Sequence, residues 1–148
     1  MCGGVQARVA DKVWKIYFPN PKAALPVLQA DGTIEWVLWG RRREQPSNLP
    51  ATGWARQDSI TAGKWARYRP RFVCISAERF MEKDANGVSH WFNLDPDQAI
   101  EALLLELGEE RRVYVVTTTP PEQHAELHDR WPSRRANQSA SLHNQHRS

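Results

Sequence analysis

At 148 residues the chain fits one domain and is long enough to bury a core of its own. Its 41% hydrophobic and 25% charged residues make an ordinary globular balance, and a formal net charge of +3 permits an anionic partner without demanding one. No stretch approaches the roughly 20 apolar residues of a membrane span. The start, MCGGVQARVADK, lacks the apolar core of an export signal. Two cysteines are too few for a secreted disulfide scaffold of this size, so the cytoplasm is the expected compartment.

In chain order, VWKIYF (13–18) alternates loosely and reads as a strand that Pro19-Asn20-Pro21 breaks. LPVLQ (25–29) and IEWVLW (34–39) read as a hairpin turned at Asp31-Gly32, with Gly40 closing the second strand. A polar, proline-containing loop follows, and a short helix is predicted near 60–68. RFVCIS (71–76) is a compact strand that Phe80–Glu82 continues after a bend. Asp84–Gly87 then turns into a returning strand at 88–94. Asp95-Pro96-Asp97 reads as the cap of a helix over 97–107, DQAIEALLLEL, stopped by Gly108. RVYVVTT (112–118) is a buried strand, and PPEQHAELHDRWP opens a short helix or turn. Beyond Pro132 the composition turns polar and acid-free, which predicts a disordered tail at 133–148 behind a domain at 1–132. The fold class is α+β, dominated by strands.

Four features carry chemistry. Cys2 becomes the amino terminus if Met1 is removed, as small second residues permit. A thiol and an α-amine then sit on adjacent carbons, and both titrate near pH 8 to 9. Such a pair captures an aldehyde as an imine that the sulfur closes into a thiazolidine ring, which no internal cysteine can do. Gly3-Gly4 behind it lets the backbone pass closely beneath a ligand. Glu82 stands at the end of a strand, where a partly desolvated carboxylate serves as acid or base; locally it also reads as a solvated acid beside Lys83. His128, flanked by Asp129 and Arg130, is a proton shuttle or a surface histidine. The stretch KWARYRPRF (64–72) interleaves Lys64, Arg67, Arg69 and Arg71 with aromatic rings, the composition of a single-strand groove or of a half-buried amphipathic segment. The seven Trp offer flat rings for stacking. Two cysteines cannot complete a zinc site, and the histidines stand far from them or, like His90, in a strand-like run. No metal or other cofactor is expected.

The order of these islands resembles a known family. MCGG at the start, LWG at 38–40, WARQDS at 54–59, CISAERFMEK at 74–83 and VVTTTPPEQHAELHDRWP at 115–132 are similar to the SOS response-associated peptidase-like (SRAP) family. That family runs MCGR, WG, NARxET, a strand motif ending in E-W, and a T-T segment leading to H-[DN]-R-M-P. The resemblance implies a curved, barrel-like mixed sheet with a few short helices. It implies covalent capture of abasic sites in single-stranded DNA by Cys2, with Glu82 assisting proton transfers and His128 opening the sugar. Gly3, Trp54, Arg56, Arg67, Arg69 and Arg71 are the DNA-binding candidates, Arg56 as the match to the family's arginine and Arg67, Arg69 and Arg71 from the basic, ring-bearing stretch. The peptidase label would refer to removal of Met1. The expected partner is abasic single-stranded DNA, met by a monomer at the nucleoid. Trp54 replaces the family's asparagine, Gly4 its arginine after MCG, Arg79 its strand-motif glycine and Lys83 its tryptophan. A weakened member that binds DNA non-covalently or serves structurally is the alternative.

Overall fold

Residues 2–119 and 131–136 are described by the structure, a computed structural model of the chain. Among them strand outweighs helix by 54% to 7%. The chain begins with a hairpin that the alternation did not announce, β1 (Cys2–Val9) and β2 (Lys12–Tyr17). Its two-residue turn, Ala10-Asp11, has positive φ at both positions (52° and 63°), the geometry whose twist suits tight hairpins. The next hairpin, β3 (Ala24–Leu28) and β4 (Ile34–Trp39), forms as the Asp31-Gly32 signal predicts. Gly32 takes φ +87° and the Asp31 carboxylate accepts the Thr33 N–H at 2.9 Å. A long loop leads to β5 (Trp54–Arg56), a one-turn helix α1 (Gln57–Thr61) and a 3-10 turn at Ala66–Tyr68. Two separate helical turns thus stand where one helix near 60–68 was expected.

Strands β6 (Arg71–Ile75), β7 (Arg79–Lys83) and β8 (Ser89–Asn93) follow close to their predicted places. The helix expected over 97–107 is instead β9 (Gln98–Leu107), the longest strand described, and Gly108 at φ +62° turns it into β10 (Glu110–Thr118) rather than ending a helix. The reason is burial. β9 pairs with β10 on one edge and with β6 on the other, and Ala99, Ile100 and Ala102 to Leu105 are all buried. A strand covered on both faces shows an unbroken apolar run, which periodicity cannot tell from a buried helix. Each large side chain so buried is worth about 1.5–3 kcal/mol, against helix propensities that differ by about 0.7 kcal/mol or less among ordinary residues.

Strands β10, β4, β3, β6 and β9 close on themselves as a five-stranded barrel, since β9 pairs back onto β10. All its pairings are antiparallel except the parallel β4–β10 pair, so the expectation of a curved mixed sheet holds. A four-stranded antiparallel sheet, in the order β2-β1-β7-β8, packs its inward residues Val5, Ile16 and Phe80 into the same core as barrel residues Leu25, Trp39, Ile100 and Val113. A second cluster, with Leu103, Leu105, Tyr114 and Val116 beneath Leu49 and Trp65, covers the other face of β9 and β10.

The chain also pairs beyond the boundary drawn at residue 132. After β11 (Trp131–Pro132) comes β12 (Arg134–Ala136), which adds to β9, and the Arg135 guanidinium donates to Glu101 at 2.9 Å. Ordered pairing therefore continues past residue 132, as far as residue 136 at least; residues 137–148 lie outside the described residues.

Candidate functional site

Site geometry starts from a bulge. Cys2 opposes Glu82 across the β1–β7 pair, yet Gly4 opposes Met81, so Gly3 is the extra residue. Cross-strand partners share a face. Cys2 and Glu82, far apart in sequence, therefore both sit on the inward face of the small sheet, and neither has exposed surface. The Cys2 Sγ lies 3.4 Å from the Gly4 carbonyl oxygen. Burial, and after it the charge of Glu82, pushes the thiol well above its ordinary range; backbone contacts at Gly4 and Met81 oppose this only in part.

A third residue arrives from the barrel. Trp54 on β5 donates its indole N–H to the Cys2 carbonyl at 2.7 Å. The local sequence explains why the ring is there. Gly40 turns the chain at φ +54°, where a Cβ would stand 2.2 Å from the Thr52 carbonyl oxygen, and Trp39 donates to the Gly53 carbonyl at 3.0 Å. Gly53 offers bare backbone to the Phe18 ring, which a Cβ there would approach to 2.6 Å. Phe18 in turn packs on Trp39 and Trp54 with centroids 5.5 and 4.7 Å away. The Arg42 guanidinium fixes this corner by donating to the carbonyls of Phe18, Trp39 and Asn20. So the LWG island holds the aromatic wall that aims Trp54 at Cys2.

Beside this contact opens a cavity of about 550 Å³, walled by Gly3, Tyr17, Phe18, Trp54, Met81 and Lys83, among others. Its mostly apolar, aromatic walls with one cation suit a flat ring carrying a nearby negative charge. Cys2 itself is not in the wall; its neighbour Gly3 is.

The other predicted residues fall in three places. Arg56 follows Trp54 on the same side of β5 but is exposed and pairs with Asp58 at 3.1 Å. Arg67, Arg69 and Arg71 belong to the opposite elements, the 3-10 turn and the start of β6, and Arg71 pairs with Glu106 at 2.8 Å. Of the three rings in that stretch, Phe72 is half-exposed and the other two are packed against the fold. Trp65 is buried against Tyr114 at 5.3 Å, and Tyr68 packs on the same cluster. His128 lies outside the described residues. Of its flanks, Trp131 is buried against Phe80 and Phe92, each at 4.8 Å, and pairs with Thr118.

Tyr17, Phe18, Met81 and Lys83 were not read as site residues from the sequence. Only the turn at Pro19-Asn20-Pro21 beside Tyr17-Phe18 hinted at an exposed aromatic end. His90 was also set aside, and it stands directly across from Glu82 on β8, with its ring 2.8 Å from Asp84, whose carboxyl this contact holds below its usual range. Among the described residues no cluster of ligands could hold a metal ion. The sequence matches no family model and no curated protein.

Proposed function

We propose that this protein captures abasic sites in single-stranded DNA through Cys2, as a short, diverged SRAP-like protein. The observation that carries the reading is the convergence of three sequence-distant islands, with Cys2 paired to Glu82 and its carbonyl held by Trp54. The apolar, ring-walled cavity next to Gly3 supports it, because a base flanking the lesion needs such walls.

In this reading Met1 is removed and the Cys2 amine attacks the aldehyde carbon of the opened abasic sugar. Loss of one water leaves an imine. The Cys2 sulfur then adds to the imine carbon while the nitrogen takes up a proton, which closes the thiazolidine. Glu82 shuttles the protons of imine formation and reversal, and burial, with the Glu82 charge second, keeps the thiol protonated until the aldehyde arrives. His128 assists ring opening. Trp54 and Gly3 contact the strand at the cavity, and Arg56, Arg67, Arg69 and Arg71 contribute positive charge at a distance.

Incubating the purified chain with a single-stranded oligonucleotide that carries one abasic site tests this. A denaturation-resistant, shifted band should form, its intact mass equal to protein lacking Met1 plus oligonucleotide minus one water. Cys2→Ala should abolish it. Binding without a band would instead indicate the non-covalent, weakened member, and an equal band from Cys2→Ala would remove the thiazolidine assignment.

A further inference from the structure

The small sheet has a second face. Strand alternation places Lys15 and Tyr17 of β2, Arg79, Met81 and Lys83 of β7, and Trp91 of β8 on the side opposite Cys2 and Glu82. At its centre Gly4 has no side chain, so the Tyr17 ring and Met81 close over the backbone; a Cβ there would meet them at 3.2 and 3.3 Å. A side chain at this position would have to push the Tyr17 ring and Met81 aside by a few tenths of an ångström. Tyr17 and Trp91 stand nearly perpendicular, 6.3 Å apart, and Tyr17 is 41% exposed. Two cations flank the Trp91 ring, Arg79 at 5.1 Å and Lys15 at 5.6 Å from its centroid.

No strand residue on this face is acidic. Among the described residues no carboxylate pairs with Lys15, Arg79 or Lys83; the nearest acid at the edge, Glu78, is taken by Arg8 at 3.5 Å. Three uncompensated cations around an exposed Tyr17 ring and a half-buried Trp91 ring fit a polyanion whose units carry flat apolar faces. The face is also continuous with the cavity beside Gly3, since Tyr17, Met81 and Lys83 belong to both.

We infer that this outward face of the small sheet is a single-stranded nucleic-acid track, with Trp91 and Tyr17 stacking bases while Lys15, Arg79 and Lys83 take the phosphates. As the approach to Cys2 it rests on the proposed function. As a binding surface it needs no covalent chemistry, and the test is chosen accordingly.

A fluorescein-labelled, undamaged oligothymidylate is titrated with the full chain and followed by anisotropy at several salt concentrations. Trp91→Ala should weaken binding roughly tenfold, the loss expected of one stacked base. Lys15→Gln with Lys83→Gln, both at exposed positions and so harmless to folding, should lower the salt-dependence exponent by about 1.4, at about 0.7 per phosphate contact. Unchanged affinity and exponent in both variants would overturn the track. So would tighter binding of a polyglutamate peptide than of the oligonucleotide, or variants that alter only self-association in sedimentation. An abasic crosslink that forms while these variants bind the undamaged strand like wild type sinks the track and leaves the covalent reading intact. Loss of the crosslink alone does the reverse.

Discussion

The Trp54 indole N–H reaches the Cys2 carbonyl, and that donor comes with a ring seated on Phe18. Two roles are therefore fused in one side chain, and Trp54→Phe separates them. The phenyl ring keeps the packing against Phe18, while the Cys2 carbonyl loses its donor, at a cost of about 1–3 kcal/mol for an unmet group in a site this dry. If that bond positions Cys2 for attack, Trp54→Phe should slow crosslink formation roughly tenfold, which is 1.4 kcal/mol, a larger loss than its loss of affinity for undamaged DNA. Equal crosslinking rates for the variant and wild type would reduce Trp54 to a wall of the cavity. Cys2 and Glu82 stood out in the sequence one at a time. Their meeting with Trp54 did not, because a hydrogen bond across 52 positions is set by how distant elements pack, which no local pattern of residues reveals.

At the level of elements, legibility followed how each strand is covered. The hairpin of β3 and β4 announced itself because Asp31-Gly32 is a turn by chemistry, with a side-chain acceptor and a residue free to take positive φ. The β1–β2 hairpin did not, because Ala10 and Asp11 do the same job without glycine or asparagine. β9 was misread for the opposite reason: leucine, alanine and glutamate favour helix, and burial on both faces erased the alternation that marks a strand. The Ala10-Asp11 turn carries a cost that can be removed. A left-handed alanine costs about 1–2 kcal/mol, so replacing the pair by Asn-Gly (Ala10→Asn with Asp11→Gly) should stabilise the protein by about 1 kcal/mol. For a chain of this size that means a melting temperature higher by roughly 2–4 °C. A thermal melt that moves down instead would show that the turn is held by contacts its backbone does not reveal.

Over the whole molecule, the closed barrel and the sheet packed against it bury, besides the Glu82 carboxyl, three groups that ionise in alkali: the Cys2 and Cys74 thiols and the Tyr114 phenol. Burial is the largest cause of a raised pKa in each; Glu82 adds to it at Cys2, whereas Arg135 opposes it at Cys74 and Arg112 at Tyr114. The sign of the consequence is fixed. Unfolded, the thiols lose their protons near their ordinary value of 9.0 and the phenol near 10.0, while the folded protein still holds them. Above that range the native state binds more protons than the unfolded one, and stability falls as pH rises. The melting temperature should therefore be flat as far as these groups are concerned up to about pH 9 and decline beyond it. Tyr114→Phe loses the O–H that donates to the Pro50 carbonyl at 2.8 Å, so it should melt lower at neutral pH yet decline less steeply above pH 10. Cys74→Ala should flatten the curve from about pH 9 upward. Cys2→Ala should flatten it over the same range. If melting temperatures of the wild type and all three variants run parallel from pH 8 to pH 11, the buried acids do not govern alkaline stability, and the dry setting of Cys2 must open in solution far more than its burial implies.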